Sequence, residues 1–151
     1  MNQLSAAIVK KDPALPTKVI QFGEGNFMRA FIDWQLQQMN QKGLFNGKAT
    51  IVQPLSQGLG EMLKEQDYLY TVILEGLMNG EVINEAEIIT SIESVINPYE
   101  NWDAYLALAE NDDAEFIISN TTEAGIQYNP KDTLENAPQQ SFPAKLTALL
   151  Y

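Results

Sequence analysis

Val19-Ile20-Gln21-Phe22-Gly23-Glu24-Gly25-Asn26-Phe27-Met28-Arg29-Ala30 is the stretch that decides how this chain folds. An apolar, strand-like run ends in two glycines one residue apart, and the residues after them carry helical spacing. A strand ending in Gly-x-Gly brings backbone free of side chains to the carboxyl edge of a sheet. The next helix then points its unpaired N–H groups at whatever binds there. Phe27, Ala30, Phe31 and Trp34 recur at i, i+3, i+4 and i+7, which predicts an apolar stripe packing that helix on the sheet. Two readings of the glycines stay open on these residues. One is a dinucleotide or phosphate site; the other is a plain strand–turn–helix in which glycine only permits positive φ. The usual G-x-G-x-x-G spacing places its third glycine where this chain has Met28, and Ala30 is the small residue available for close helix–strand contact. Glu24 sets a condition on the first reading, because a carboxylate in the loop repels phosphate unless it turns away. Arg29, the chain's single arginine, stands where it would add positive charge to a phosphate site.

Upstream, the polar residues 1–16 end in Asp12-Pro13-Ala14-Leu15-Pro16, whose prolines discourage helix and ladder pairing. An arm is expected there, leading into a domain over 17–151 whose first strand lies at about Lys18–Phe22. The helix after the glycines should run to about Gln41 and end at Gly43. Ala49-Thr50-Ile51-Val52 then suits a second buried parallel strand, closing a β-α-β unit. After a loop over Ser56–Gly60 and a short helix near Glu61–Gln66, Tyr68–Leu74 predicts a strand. Asn79-Gly80 predicts the turn of a hairpin into Glu81-Val82-Ile83, and Glu87–Ile92 is expected to continue that antiparallel excursion until Asn97-Pro98.

Tyr99–Ala109 has the pattern of a helix burying Trp102, Tyr105, Leu106 and Leu108. Glu115–Asn120 is a further apolar strand, running into Thr121-Thr122-Glu123-Ala124-Gly125. Ligands of doubly wound sheets sit outside the carboxyl ends of strands where the winding reverses, so this loop is expected to face the Gly23–Gly25 turn. Pro130–Pro143 is loop-like. Pro143–Tyr151 begins an apolar helix with no later element to cover it, so the chain reads as truncated and is expected to self-associate through the exposed surface.

Composition narrows the chemistry. The chain has 151 residues, 45% of them hydrophobic, enough for one ordinary domain with a core. Nine basic against twenty acidic residues give a formal charge of −11, which repels nucleic-acid backbones and anionic membranes. Neither a bilayer-length apolar run nor a secretion signal is present, so a cytoplasmic location is expected. With neither cysteine nor histidine, a Ser-His-Asp or Cys-His arrangement is impossible within these residues. The dispersed Asp67, Asp103, Asp112, Asp113 and Asp132 lack the spacing of a calcium loop and read as solvated surface. Tyr68, Tyr70, Tyr99, Trp102 and Tyr105 read as packing aromatics rather than a stacking platform. Asn120-Thr121-Thr122-Glu123 admits either a cap for the following segment or a cofactor lining.

Taken together, F-G-E-G-N-F-M-R-A-F-I-D-W-Q at 22–35, E-Q-D-Y-L-Y-T at 65–71, I-S-N-T-T-E-A-G-I at 118–126 and F-P-A-K-L-T at 142–147 resemble, in order and over nearly the whole chain, the amino-terminal region of the polyol (mannitol) dehydrogenase family. The 118–126 stretch is similar to the branch that reduces D-tagaturonate to D-altronate with NADH in hexuronate breakdown. The resemblance implies an α/β, Rossmann-like domain, a mainly parallel twisted sheet with an antiparallel hairpin excursion, that binds NAD. It also implies hydride transfer without zinc, performed by a lysine, an asparagine and a histidine of a helical carboxy-terminal domain that these residues lack. The chain alone is therefore expected to bind NADH weakly, to turn nothing over, and to meet a sugar-acid substrate only with that second domain. A related polyol or mannonate dehydrogenase, or a non-catalytic cofactor-sensing or interaction domain, stays open as an alternative.

On that reading Phe22, Gly23, Gly25, Asn26 and Phe27 approach the pyrophosphate. Arg29 either adds charge there or ties domains together, and Asn120, Thr121 and Glu123 lie near ribose and nicotinamide. The end of the second strand, where an acidic side chain usually holds the adenosine ribose, has neither acid nor base. Ser56, Gln57 or Gln53 is expected to supply neutral hydrogen bonds instead, favouring NADH over NADPH.

Overall fold

In a computed structural model, which describes residues 3–11 and 15–151, four parallel strands form one sheet in the order β5-β2-β1-β6. These are β1 (Thr17–Phe22), β2 (Lys48–Val52), β5 (Ile92–Ile96) and β6 (Phe116–Ser119). β1 pairs with β2 on one side and with β6 on the other, so the winding reverses between β1 and β6. β2, flanked on both edges, is buried throughout, as its uninterrupted Ala-Thr-Ile-Val run requires. Part of the expected arm, residues 1–2 and 12–14, lies outside the described residues. Its described part rests on the loop before the hairpin, where the Ala6 N–H donates to Asp67 Oδ2 at 2.7 Å.

Alternation along β1 sorts the core into two layers. Val19 joins Leu36, Ile51, Leu63, Tyr70, Val72, Ile89 and Ile92 on one side of the sheet. Ile20 and Phe22 join Val52, Tyr105 and Leu149 on the other. The first layer is roofed by α1 (Asp33–Gln41), α2 (Gly60–Glu65) and the hairpin of β3 (Tyr70–Met78) and β4 (Glu81–Ile89); the second by α3 (Trp102–Leu106) and α4 (Phe142–Leu150). The hairpin turn is the one Asn79-Gly80 predicts, with φ of 55° and 85°. Ser141 caps α4, accepting from the Ala144 N–H, and Pro143 tolerates the first turn because that position needs no N–H donor.

The structure corrects two expectations. The stripe Phe27, Ala30, Phe31 does not face the sheet: Phe27 is 55% and Phe31 48% exposed, their rings 5.2 Å apart on the outer surface. The cause is a π-helical stretch over Met28–Ile32, in which the Asp33 N–H bonds Met28 O five residues back. The wider turn rotates the register. Met28, Asp33, Leu36 and Gln37 become the buried face, and Trp34 reaches sideways to the hairpin.

The second correction concerns 87–92, which does not belong wholly to the excursion. β4 ends at Ile89, and Ile92 opens β5, a strand of the main sheet beside β2. Polar groups of α1 make the corner. Gln37 Oε1 accepts from Thr90 N–H and hydroxyl, each at 3.1 Å, and the Ser91 hydroxyl donates to Asp33 O at 2.9 Å.

One carboxylate clamps the hairpin to α1. Glu87 accepts from Trp34 Nε1 at 2.8 Å, from Gln38 Nε2 at 2.8 and 2.9 Å, and from Gln41 Nε2 at 2.8 Å. Glu87→Ala strands these donors, some half-buried, and is expected to lower the unfolding free energy by about 2 kcal/mol. Denaturant titration measures the loss, and hydrogen exchange should speed up first in β4. Unchanged exchange there would contradict the clamp.

Candidate functional site

Gly23 leaves the end of β1 at φ +113°, a backbone conformation open to glycine and costly for other residues, and its N–H stays in the sheet by donating to Val52 O at 3.0 Å. A Cβ built on Gly23 or Gly25 would meet nothing within 4 Å. The glycines therefore border open space rather than a tightly packed contact. Glu24 satisfies the condition set by its charge. It turns inward, only 8% exposed, and its Oε1 accepts the Leu59 N–H at 3.3 Å.

At the reversal between β1 and β6 lies a crevice of about 640 Å³. The end of β1 supplies Phe22 and Gly23, the loop after β2 Pro54 and Leu55, and the loop after β6 Asn120 and Thr121. The crevice thus brings together two loops about a hundred residues apart in sequence. Its far wall, Gln140-Ser141-Phe142, comes from the stretch that reads only as loop. Phe142 packs edge-on against Phe22 with ring centres 5.0 Å apart, and the Asp132 carboxylate fixes the wall by accepting the Gln140 and Ser141 N–H groups at 2.7 and 2.9 Å. Asp132 is thus a structural cap, and Ser141 as a helix cap was the available sequence signal for this wall.

Several expected residues fall elsewhere. Glu123 is exposed and outside the crevice lining. Gly25 and Phe27 stand at the open start of the helix, while Asn26 and Arg29 border a smaller cleft against β3. Ser56 lines a separate pocket of about 480 Å³ between the ends of β2 and β5, with Gln57, Lys64, Asn97 and Asn101. Gln53 also lines that pocket, with its amide engaged inside the protein. It is 3% exposed, its Nε2 donates to Leu55 O at 2.8 Å, and its Oε1 accepts the Gly60 N–H at 3.0 Å. Its position at the end of a buried strand turns it inward.

Beneath the glycines lies a polar cluster that sequence periodicity does not mark. Asp33 is fully buried and accepts from the Tyr70 hydroxyl at 2.8 Å and from Gln21 Nε2 at 3.4 Å. Burial pushes its carboxyl up to about 6, opposed by these hydrogen bonds and by the nearby Arg29 charge. Burial beside Asp33 likewise drives the Tyr70 hydroxyl far above its ordinary value. Asp33 Oδ1 and Gln21 Oε1, both acceptors, have no partner among the described residues.

A crevice that mixes apolar side chains such as Phe22, Leu55 and Phe142 with small polar ones such as Asn120, Thr121 and Ser141, with Gly23 at one lip, suits a flat ligand bearing polar groups. No group of acidic side chains among the described residues gathers as a metal site, and none of their helices is long and apolar enough to cross a membrane.

Comparison with known proteins accords with this geometry. Altronate oxidoreductase of Bacteroides thetaiotaomicron is 52% identical over 136 residues, covering 90% of this chain and 28% of that protein. Altronate oxidoreductase of Bacillus subtilis is 48% identical over 151 residues, covering 100% of this chain and 32% of that protein. The chain thus spans about a third or less of these curated relatives. Among solved structures, Pseudomonas fluorescens mannitol 2-dehydrogenase, in a ternary complex with NAD and D-mannitol, superposes with a TM-score of 0.69 at 18% identity over 83% of this chain and 27% of that one. A D-sorbitol dehydrogenase in substrate-free form gives 0.73 at 16% identity over 98% of this chain and 35% of that one; at such identities these two establish the fold alone. Residues 17–151 match the family model of the mannitol dehydrogenase Rossmann domain, and the chain belongs to that family.

Proposed function

We propose that residues 17–151 form the NAD-binding domain of an enzyme that reduces D-tagaturonate to D-altronate with NADH, in the cytoplasm, as part of hexuronate breakdown. The observation that carries this reading is the meeting of Phe22 and Gly23, at the start of the glycine turn, with the Asn120–Thr121 loop on one crevice at the reversal of the sheet, in a chain about half identical to altronate oxidoreductases. The residues present suit the cofactor. The space in front of both glycines admits a pyrophosphate, and the first N–H groups of the helix, around Asn26 and Phe27, precede its first backbone bond, from the Arg29 N–H to Gly25 O. NAD, when bound, supplies the hydride acceptor or donor. The protein's own part is to bind and orient it: Gly23 and Gly25 allow close approach, Phe22 floors the crevice, and Asn120 and Thr121 offer polar groups to the ribose and nicotinamide end. Ser56 and Gln57 face the adenosine end. Glu123, outside the crevice, is left without a contact.

Titration with NADH, followed by quenching of tryptophan fluorescence, tests the reading. Saturable binding without tagaturonate turnover by this chain is the expected outcome, and turnover by pure protein would contradict the division of labour. NADH should be preferred over NADPH, because the pocket around Ser56 carries one cation, Lys64, already 3.7 Å from Glu61, and a net charge of −11 opposes a further phosphate. Competition between the two cofactors in an enzyme containing this domain decides the point, and tighter binding of NADPH would reverse it.

A further inference from the structure

We infer that Gln21 and Arg29 are positioning residues of the glycine turn: each holds one of two successive carbonyls, and so aims the N–H groups on the far side of the same peptides toward an anionic ligand. The inference rests on the cofactor reading and names the part of the ligand concerned, its pyrophosphate. Gln21 Nε2 donates to Gly23 O at 3.1 Å, and Arg29 Nε donates to Glu24 O at 2.9 Å. A trans peptide is planar, with its C=O and N–H pointing opposite ways. Fixing Gly23 O therefore fixes the Glu24 N–H, and fixing Glu24 O fixes the Gly25 N–H. Neither N–H has an acceptor among the described residues. Successive N–H groups turned one way form a concavity that binds anions.

The direction follows from the strand. Gln21 lies on the face of β1 toward α1 and the hairpin, and Phe22 on the opposite face, which carries the crevice. Carbonyls drawn toward Gln21 and Arg29 leave their N–H partners on the crevice side. Both tethers are themselves held. Gln21 is fully buried, its amide shared with Asp33. Arg29 gives a second donor to Asn26 Oδ1 at 2.5 Å and lies over the Tyr70 ring, 5.5 Å from its centre. The arginine therefore acts through its fork, which lysine cannot reproduce while keeping the charge.

The test compares ADP-ribose, which carries the pyrophosphate, with adenosine, which does not, by NMR titration of the wild-type protein, Gln21→Met and Arg29→Lys. In the wild type the Glu24 and Gly25 amide resonances should shift on adding ADP-ribose. Each variant should bind ADP-ribose about tenfold more weakly, the order expected when a main-chain donor is misaligned, with adenosine affinity unchanged. Wild-type protein that binds neither NADH nor ADP-ribose overturns the cofactor reading and this inference with it. Binding by the wild type, with both variants within about twofold of it, overturns the inference alone. Equal losses for ADP-ribose and adenosine would mean general loosening and also overturn it. Should Gln21→Met fail to fold, Arg29→Lys, at a partly exposed position, decides by itself.

Discussion

Gly25→Val is expected to weaken NADH binding by about tenfold or more, about 1.4 kcal/mol, in a protein that still folds. The two halves of that expectation come from the same geometry. A Cβ at residue 25 meets nothing within 4 Å, and the backbone there is outside the left-handed region that only glycine occupies cheaply, so valine finds room in the free protein. The room it fills is that in front of the helix start, where a pyrophosphate must approach to reach the N–H groups. Gly23 is a poorer test site, because at φ +113° any side chain strains the backbone before a ligand is added. Calorimetry on the folded variant settles the matter: unchanged NADH affinity would place the ligand elsewhere and withdraw the role given to the turn.

The second large effect is on stability. Asp33→Asn should raise the unfolding free energy at pH 8 by up to about 3 kcal/mol and remove a pH dependence that the wild type shows below neutrality. The sign follows from the direction of the shift. Burial raises the Asp33 carboxyl from 3.8 to about 6 in the folded protein. Between those values the folded state holds a proton that the unfolded chain has released, so the contribution of this carboxyl to stability is full below about pH 4 and is lost as pH rises through 6. Above that, the folded protein carries a buried charge with one oxygen unpartnered. Asparagine keeps an acceptor for the Tyr70 hydroxyl, adds a donor where two acceptors now lack partners, and carries no charge to bury. Urea midpoints of both proteins at pH 4, 6 and 8 provide the measurement, and their difference separates this carboxyl from repulsion among the chain's other acids. An asparagine variant less stable at pH 8 would mean that the Tyr70 and Gln21 hydrogen bonds outweigh burial of the charge.

Much of the architecture is legible because it is written in local pattern. β1 and β2 are apolar runs bounded by glycine or proline, Asn79-Gly80 supplies the positive φ of the hairpin turn, and Gly43, at φ +67°, follows the end of α1 where expected. The crevice was legible in outline too, since a reversal of winding after β1 places the loops following β1 and β6 side by side. Ser56 and Gln53 both line the pocket at the end of β2, but that the Gln53 amide is engaged by Leu55 and Gly60 is not readable from the sequence, because a residue leaving a buried strand has its side-chain direction chosen by packing.

The sequence by itself determined a strand–glycine–helix start, an acidic chain without histidine or cysteine, and the order of most of its strands and helices, since each depends on residue type and near-neighbour spacing. Tertiary structure alone decided which face of the first helix is buried, because one π turn rotates Phe27 and Phe31 outward and Asp33 inward, a change that spacing read at 3.6 residues per turn cannot register. It also decided that Ile92–Ile96 leaves the hairpin for the parallel sheet, through bonds from Gln37 and Asp33 more than fifty residues away in sequence. The same holds for the glycine turn, where glycines permit many backbone directions and it is Gln21 and Arg29, placed by the fold, that select one.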